Sequence, residues 1–100
     1  MPKAASSGSG KMTAPGARAA ARAAEALLLQ FGENFHAARI KAGLTQRDIE
    51  LYTGIQQAYV SQIECGRQNP TLATMTVLAL AVGKDVHELL KPPRGAARRK

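Results

Sequence analysis

Tryptophan is absent from this chain, cysteine occurs once, and phenylalanine and tyrosine occur twice each. With so little aromatic volume the core must be mostly aliphatic, and in a 100-residue chain it can bury only about 60% of the surface that the unfolded chain exposes. A lone Cys65 excludes an internal disulfide and a thiolate zinc cluster, and it fits a reducing compartment. No run of 18 apolar residues occurs, so no membrane-spanning helix is expected. The Leu27–Leu29 triplet is too short for the core of a signal peptide. The first 26 residues, rich in Ala, Ser and Arg, share their composition with transit peptides, but the balance of features favours a cytoplasmic chain.

Acidic residues are the other shortage, seven against fourteen Lys and Arg, for a net charge of +7. Such a charge implies an anionic partner, and its placement matters more than its sum. The excess sits at the ends. Lys3, Lys11, Arg18 and Arg22 face only Glu25 in residues 1–26, and Lys91, Arg94, Arg98, Arg99 and Lys100 face no acid in residues 91–100. Residues 27–90 hold five bases and six acids. A folded middle that binds a polyanion must therefore do so through hydrogen bonds and oriented dipoles, with the basic ends adding a salt-screened attraction.

What is present is a regular punctuation by glycine. Gly43, Gly54, Gly66 and Gly83 each follow an amphipathic stretch, as at helix ends that close with a left-handed residue. Thr45 with Asp48, Thr71, and Asp85 with Glu88 mark helix starts. The spacing predicts an all-α domain over residues 27–91 with five short helices near 32–42, 46–53, 56–65, 72–82 and 86–91. Ahead of it, residues 1–26 are expected as a flexible basic arm, helical in its Ala-rich part from residue 17. Residues 92–100 are expected as a disordered basic tail, since two prolines forbid helix continuation.

Turning each residue by about 100° places Tyr59, Val60 and Ile63 on one side of the third helix. Gln57, Ala58, Ser61, Gln62 and Cys65 share the other side, which carries no charge. The predicted core adds Phe31, Phe35, Ala38, Leu44, Ile49, Ile55, Leu72, Leu78, Ala81, Val82, Val86 and Leu89. A solvated helix face is ordinarily filled with Lys and Glu. Amide side chains instead present a donor and an acceptor that match the N6 and N7 edge of adenine in the major groove. Gln57 and Gln62 are the base-reading candidates, with Ala58 and Ser61 small enough between them to allow close approach. Read alone, the same face is also compatible with an idle polar surface. His36 and His87 lack metal-ligand spacing and are expected as solvated side chains, and no Ser, His and acid set recommends catalysis. No enzyme activity, metal or cofactor is expected.

Together, Arg39, the Leu44-Thr45-Gln46 start, Ile49, Gly54-Ile55, the Val60-Ser61-Gln62-Ile63-Glu64 run, Gly66 and Asn69-Pro70 fall at the spacing of a known pattern. Residues 31–90 resemble the helix-turn-helix of the Cro and lambda-repressor-like family, also called the Xre family, a compact five-helix all-α DNA-binding fold. The resemblance implies that helix 46–53 crosses the sugar-phosphate backbone, with Gln46 donating to a phosphate. Helix 56–65 would enter the major groove with Gln56, Gln57 and Ala58 nearest the bases, and Ser61 and Gln62 one turn on. Tyr59, Arg67 and Asn69 would contact phosphates. It further implies that Arg39 and Glu64 form a structural ion pair. Two residues depart from the pattern. Glu50 stands where the family has a small residue at the helix crossing, so that either the crossing opens or the carboxylate turns to solvent, and Gln56 replaces a capping Ser, Thr or Asp.

One recognition helix reads only a few base pairs, so the expected partner is a palindromic double-stranded operator bound by a homodimer. The interface is expected at the last helix, through Val86, Leu89 and a Leu90 without an intramolecular partner. The implied function is a small autoregulatory repressor or controller. The alternative is a protein-interaction module of the same fold, such as an antitoxin or a bridging coactivator.

Overall fold

The computed structural model describes residues 14–92. The N-terminal residues 1–13 and the basic tail beyond Pro92, read above as unstructured ends, lie outside the described residues. Five helices follow one another: α1 (Ala14–Lys41), α2 (Gln46–Thr53), α3 (Gln57–Glu64), α4 (Leu72–Ala81) and α5 (Val86–Leu89), with no strand among the described residues.

The first helix is longer than its pattern predicts. The segments expected separately at 17–29 and 32–42 form one helix of 28 residues. Nothing between them breaks it: Gln30 and Phe31 tolerate helix, and a single internal glycine costs only about 1 kcal/mol against alanine. Pro15 sits in the first turn, where its missing N–H has no intrahelical partner to lose. Residues 17–27 are exposed along their whole length, so alanine propensity rather than burial accounts for their helicity. Apolar spacing begins at Phe31. Phe31 and Phe35 are buried with their rings stacked 6.1 Å apart, and Ala38 continues that face half-buried.

Each later start has the cap its sequence signals, except one. Thr45 Oγ1 accepts from the Asp48 N–H at 2.9 Å while Asp48 accepts from the Thr45 N–H at 2.8 Å. Thr71 accepts from the Thr74 N–H at 3.0 Å, and the Asp85 N–H donates to Glu88 at 2.9 Å. Gln56, at the start of α3, makes no capping bond through its own side chain.

The core gathers Phe31, Phe35, Ile49, Val60, Ile63, Leu78, Ala79, Val82 and Leu89, with Ala38, Leu44, Ile55, Tyr59, Met75, Ala81, Val86 and Leu90 packed around it. Two expectations fail here. Leu72 is not a core residue but 61% exposed: it lies in the first turn of α4, where side chains lean back past the helix end. Because α4 is apolar on nearly every side, periodicity could not select its buried face, which runs through Met75, Leu78, Ala79 and Val82. Leu90 does have intramolecular partners, since it packs on this same core. Asn34 of α1 holds that end in place, donating to the Leu89 carbonyl at 2.8 Å and the Lys91 carbonyl at 2.7 Å. The last helix therefore turns its leucines inward. The exposed apolar side chains nearest in sequence belong to α4 instead: Leu72, Val77 and Leu80.

Candidate nucleic-acid interface

The turn between α2 and α3 is made by Gly54, whose φ of 82° is open to glycine at little cost. Its N–H bonds the Glu50 carbonyl at 2.8 Å, and Thr53 Oγ1 donates to the Ile49 carbonyl at 2.7 Å while accepting from the Ile55 N–H at 3.1 Å. These bonds satisfy the backbone groups of a sharp corner and leave α3 lying across α2. Val60 and Ile63 then anchor α3, both buried on the core. The opposite side of α3 is open: Gln57, Ala58, Gln62 and Cys65 are exposed and Ser61 is half-buried. Gln56, Arg67 and Asn69 flank it and are exposed as well, whereas Tyr59 is half-buried against the core. The uncharged face drawn from the sequence is thus one continuous surface feature.

Beneath its C-terminal end lies a buried ion pair. Arg39 Nε donates to Glu64 Oε2 at 2.6 Å and Nη2 donates to Oε1 at 3.0 Å, a two-pronged geometry in which both side chains are under 10% exposed. The remaining arm of Arg39 donates to the Leu44 carbonyl at 2.8 Å. Glu64 Oε1 also accepts from Gln46 at 3.0 Å and from His36 Nδ1 at 2.8 Å. His36, exposed as expected of a solvated histidine, also meets this pair: its Nδ1–H donates to Glu64, and Arg39 Nη2 lies 3.3 Å from the same nitrogen. Burial pushes the Glu64 carboxyl up, but donation by Arg39, His36 and Gln46, together with the Arg39 charge, outweighs it and holds the group below the ordinary glutamate range. The hydrogen bond to Glu64 in turn raises Arg39. One carboxylate thereby ties α1, the start of α2 and the end of α3. Gln46 keeps one amide N–H beyond the bond to Glu64.

The two departures from the family pattern meet each other. Glu50 does not simply turn to solvent: its carboxylate accepts from the Gln57 N–H at 3.2 Å, supplying from α2 the cap that Gln56 does not provide. A negative charge at the first turn of a helix also suits its dipole. Arg47 stands 3.9 Å from the same carboxylate. Glu50→Ala is expected to cost about 1 kcal/mol, within the range for lost caps, and to loosen the turn that carries Gln57 and Ala58. Thermal unfolding by circular dichroism measures it, and an unchanged midpoint would show the contact to be idle. Glu50 and Gln56 were readable only as two separate oddities, since the Glu50 carboxylate meets the Gln57 N–H, seven residues on, only once the corner at Gly54 is folded.

Gln62 has a partner that spacing did not reveal. Gln68, in the loop after α3, donates through its amide nitrogen to Gln62 Oε1 at 2.6 Å. Among the described residues, no group of His, Cys, Asp and Glu is placed to hold a metal ion, and no helix is long and apolar enough to cross a membrane. Cys65 is a free, exposed thiol.

Two short helices joined by a glycine corner, the second with its outer side bare and its inner side in the core, define a helix-turn-helix protein. The chain belongs to the Helix-turn-helix family HTH_3, whose model matches residues 35–89. It is similar to the uncharacterized HTH-type transcriptional regulator y4dJ of Sinorhizobium fredii, 44% identical over 61 residues that make up 61% of this chain and 79% of the other. It is also similar to the HTH-type transcriptional regulator DdrOP3 of Deinococcus deserti, 39% identical over 59% of this chain, but it spans only 46% of that protein. Among solved structures, a hypothetical transcription factor from Neisseria superposes with a TM-score of 0.65 at 27% identity over 74% of this chain and 85% of that one. The restriction-modification controller protein C.AhdI of Aeromonas hydrophila superposes with a TM-score of 0.59 at 31% identity, over 62% of this chain and 94% of that chain. The all-helical lambda-repressor-like fold and a transcriptional-regulator class with DNA as its partner follow from these matches, and the class is not enzymatic.

Proposed function

We propose that this protein reads the sequence of a double-stranded operator as a homodimer and acts as a small autoregulatory repressor or controller. The observation that carries the reading is the exposed side of α3, free of charge and lined by Gln57, Ala58, Ser61 and Gln62, while its other side is locked into the core by Val60 and Ile63. The side-chain amide of Gln57 makes no hydrogen bond with another described residue, so its donor and acceptor are both available to a base edge. Gln56 lies at the same end, and Ala58 offers a methyl to thymine. Gln46, Tyr59, Arg67 and Asn69 are assigned to phosphates, with Gln46 held by Glu64 and keeping a second N–H to donate. The likeness to a controller protein supports the regulatory role, and a cytoplasmic location fits that role.

Support for a second copy comes from α4 rather than from the last helix: Leu72, Val77 and Leu80 are exposed apolar side chains there, and α5 has none of comparable exposure. Two-fold symmetry would set the recognition helices about 34 Å apart and make the operator an imperfect palindrome. Selecting bound duplexes from a random pool tests the whole reading. A palindromic consensus is the expected result, and salt-sensitive binding without any consensus would overturn it. Within that consensus, Gln57→Ala is expected to relax one base position per half-site at a cost of about 1–3 kcal/mol, measured by titrating cognate and single-base-substituted duplexes. Equal losses on both duplexes would count against base readout.

A further inference from the structure

The geometry points to Gln68 as a positioning residue that decides which base Gln62 prefers, an inference that rests on the DNA-reading function proposed above. The loop after α3 is folded back on the helix by its own backbone: the Arg67 N–H donates to the Gln62 carbonyl at 2.9 Å, the Gly66 N–H donates to Ile63 at 2.9 Å, and Pro70 is buried. Residue 68 is thereby held against the helix one residue beyond that bond, and the half-buried Gln68 side chain meets the exposed Gln62 side chain end to end. Gln68 Nε2 donates to Gln62 Oε1 at 2.6 Å.

This one bond has a polarity, and the polarity has a chemical consequence. A free glutamine offers both a donor and an acceptor, which is why it suits the paired N6 and N7 groups of adenine. Gln62 is not free. Its oxygen already accepts from Gln68 with one of its two lone pairs, so the group left wholly available is the NH₂, and in this pose the amide acts chiefly as a donor. A donating amide fits the O6 and N7 acceptors of guanine and the O4 of thymine; it has less to offer the N4 amine of cytosine and satisfies adenine only in part. The sequence reading assigned the same bidentate adenine contact to both Gln57 and Gln62. We infer that the two glutamines divide the work, Gln57 keeping the adenine-type contact and Gln62 reading an acceptor-bearing base, with Gln68 enforcing the difference without touching the base itself.

The test uses the full chain and a random-duplex selection read by sequencing, with Gln62→Ala identifying which position of the half-site belongs to residue 62. At that position the unmodified protein is expected to favour guanine or thymine over adenine and cytosine by about fivefold or more. Gln68→Ala removes the inward donor, lets the Gln62 amide turn, and raises adenine to the level of the favoured base. Gln68→Glu is the sharper variant. Its carboxylate only accepts, so Gln62 must turn its NH₂ inward and its oxygen outward, and the preference should move to adenine or cytosine, whose exocyclic amines donate. Thermal unfolding of each variant accompanies the selection, so that a folding defect is separable from a change of readout. A base profile at this position that is the same in the unmodified protein and in both Gln68 variants would overturn the inference while leaving sequence-specific binding intact. So would an adenine or cytosine preference in the unmodified protein. Absence of any consensus would overturn the DNA-reading proposal itself.

Discussion

Glu64→Ala is expected to destabilise the fold by about 3–5 kcal/mol, a large share of what a small domain has. The cost arises because Arg39 remains buried at 6% exposure with its charge uncompensated, its Nε unpartnered and its Nη2 left with only the 3.3 Å contact to His36 Nδ1, while the α1, α2 and α3 segments lose the carboxylate they share. Equilibrium urea unfolding measures it. A loss under about 1 kcal/mol would place this pair with exposed ion pairs and deny it a structural role. Glu64→Gln, which keeps shape and one acceptor, should fall between. The same carboxylate gives the protein an acid sensitivity of known sign. Its folded form titrates below the ordinary glutamate range, so the unfolded chain takes up the proton first. The contribution is therefore whole above the unfolded value of about 4.3 and drains away as the pH falls through the lowered folded value. Stability measured from pH 6 downward should decline less steeply in Glu64→Gln than in the unmodified protein.

The second large effect is expected at Gly32, and its sign runs against helix propensity. Glycine inside a helix is ordinarily worth replacing, with alanine gaining about 1 kcal/mol. Gly32 lies inside α1, but a Cβ there would collide with the backbone carbonyl oxygens of Ile63 and Glu64 at the end of α3, the latter at 2.8 Å. These are backbone atoms, so the neighbour cannot swing aside as a side chain would. Gly32→Ala should therefore destabilise by about 1–3 kcal/mol in spite of its better propensity, because α1 and α3 would have to separate. The shift would also move Glu64 away from Arg39 and tilt the face that carries Gln57 and Gln62. A variant equally or more stable in urea unfolding would show that the crossing has slack.

Much of this architecture was legible without coordinates. The four left-handed glycines Gly43, Gly54, Gly66 and Gly83 all have φ between 73° and 82°, and the Thr45, Thr71 and Asp85 starts are where their residue types placed them. Such features are local: a cap or a positive φ is decided within four or five residues, and so are the phases of α2 and α3 that set Val60 and Ile63 inward. The missed features share the opposite character. Gly32 drew no notice at the start of the helix expected near 32–42, because the carbonyls that exclude a Cβ are more than 30 residues away in sequence. Leu90 was judged by the absence of a visible partner and His36 by its lack of metal-ligand spacing, and their contacts come from the shared core and from α3.

Sequence alone determined the helical segments between residues 32 and 91, the corner at Gly54, the buried side of α3 and the uncharged side opposite, because hydrophobic periodicity and capping chemistry act over one or two turns of chain. Only the tertiary structure decided that Glu50 caps the helix for which Gln56 has no capping bond, that Gln68 donates to the Gln62 amide oxygen, and that α4 rather than α5 bears the exposed leucines. Those outcomes depend on which surfaces meet when helices pack, and a hydrogen bond of 3 Å between distant segments leaves no period in the chain that makes it.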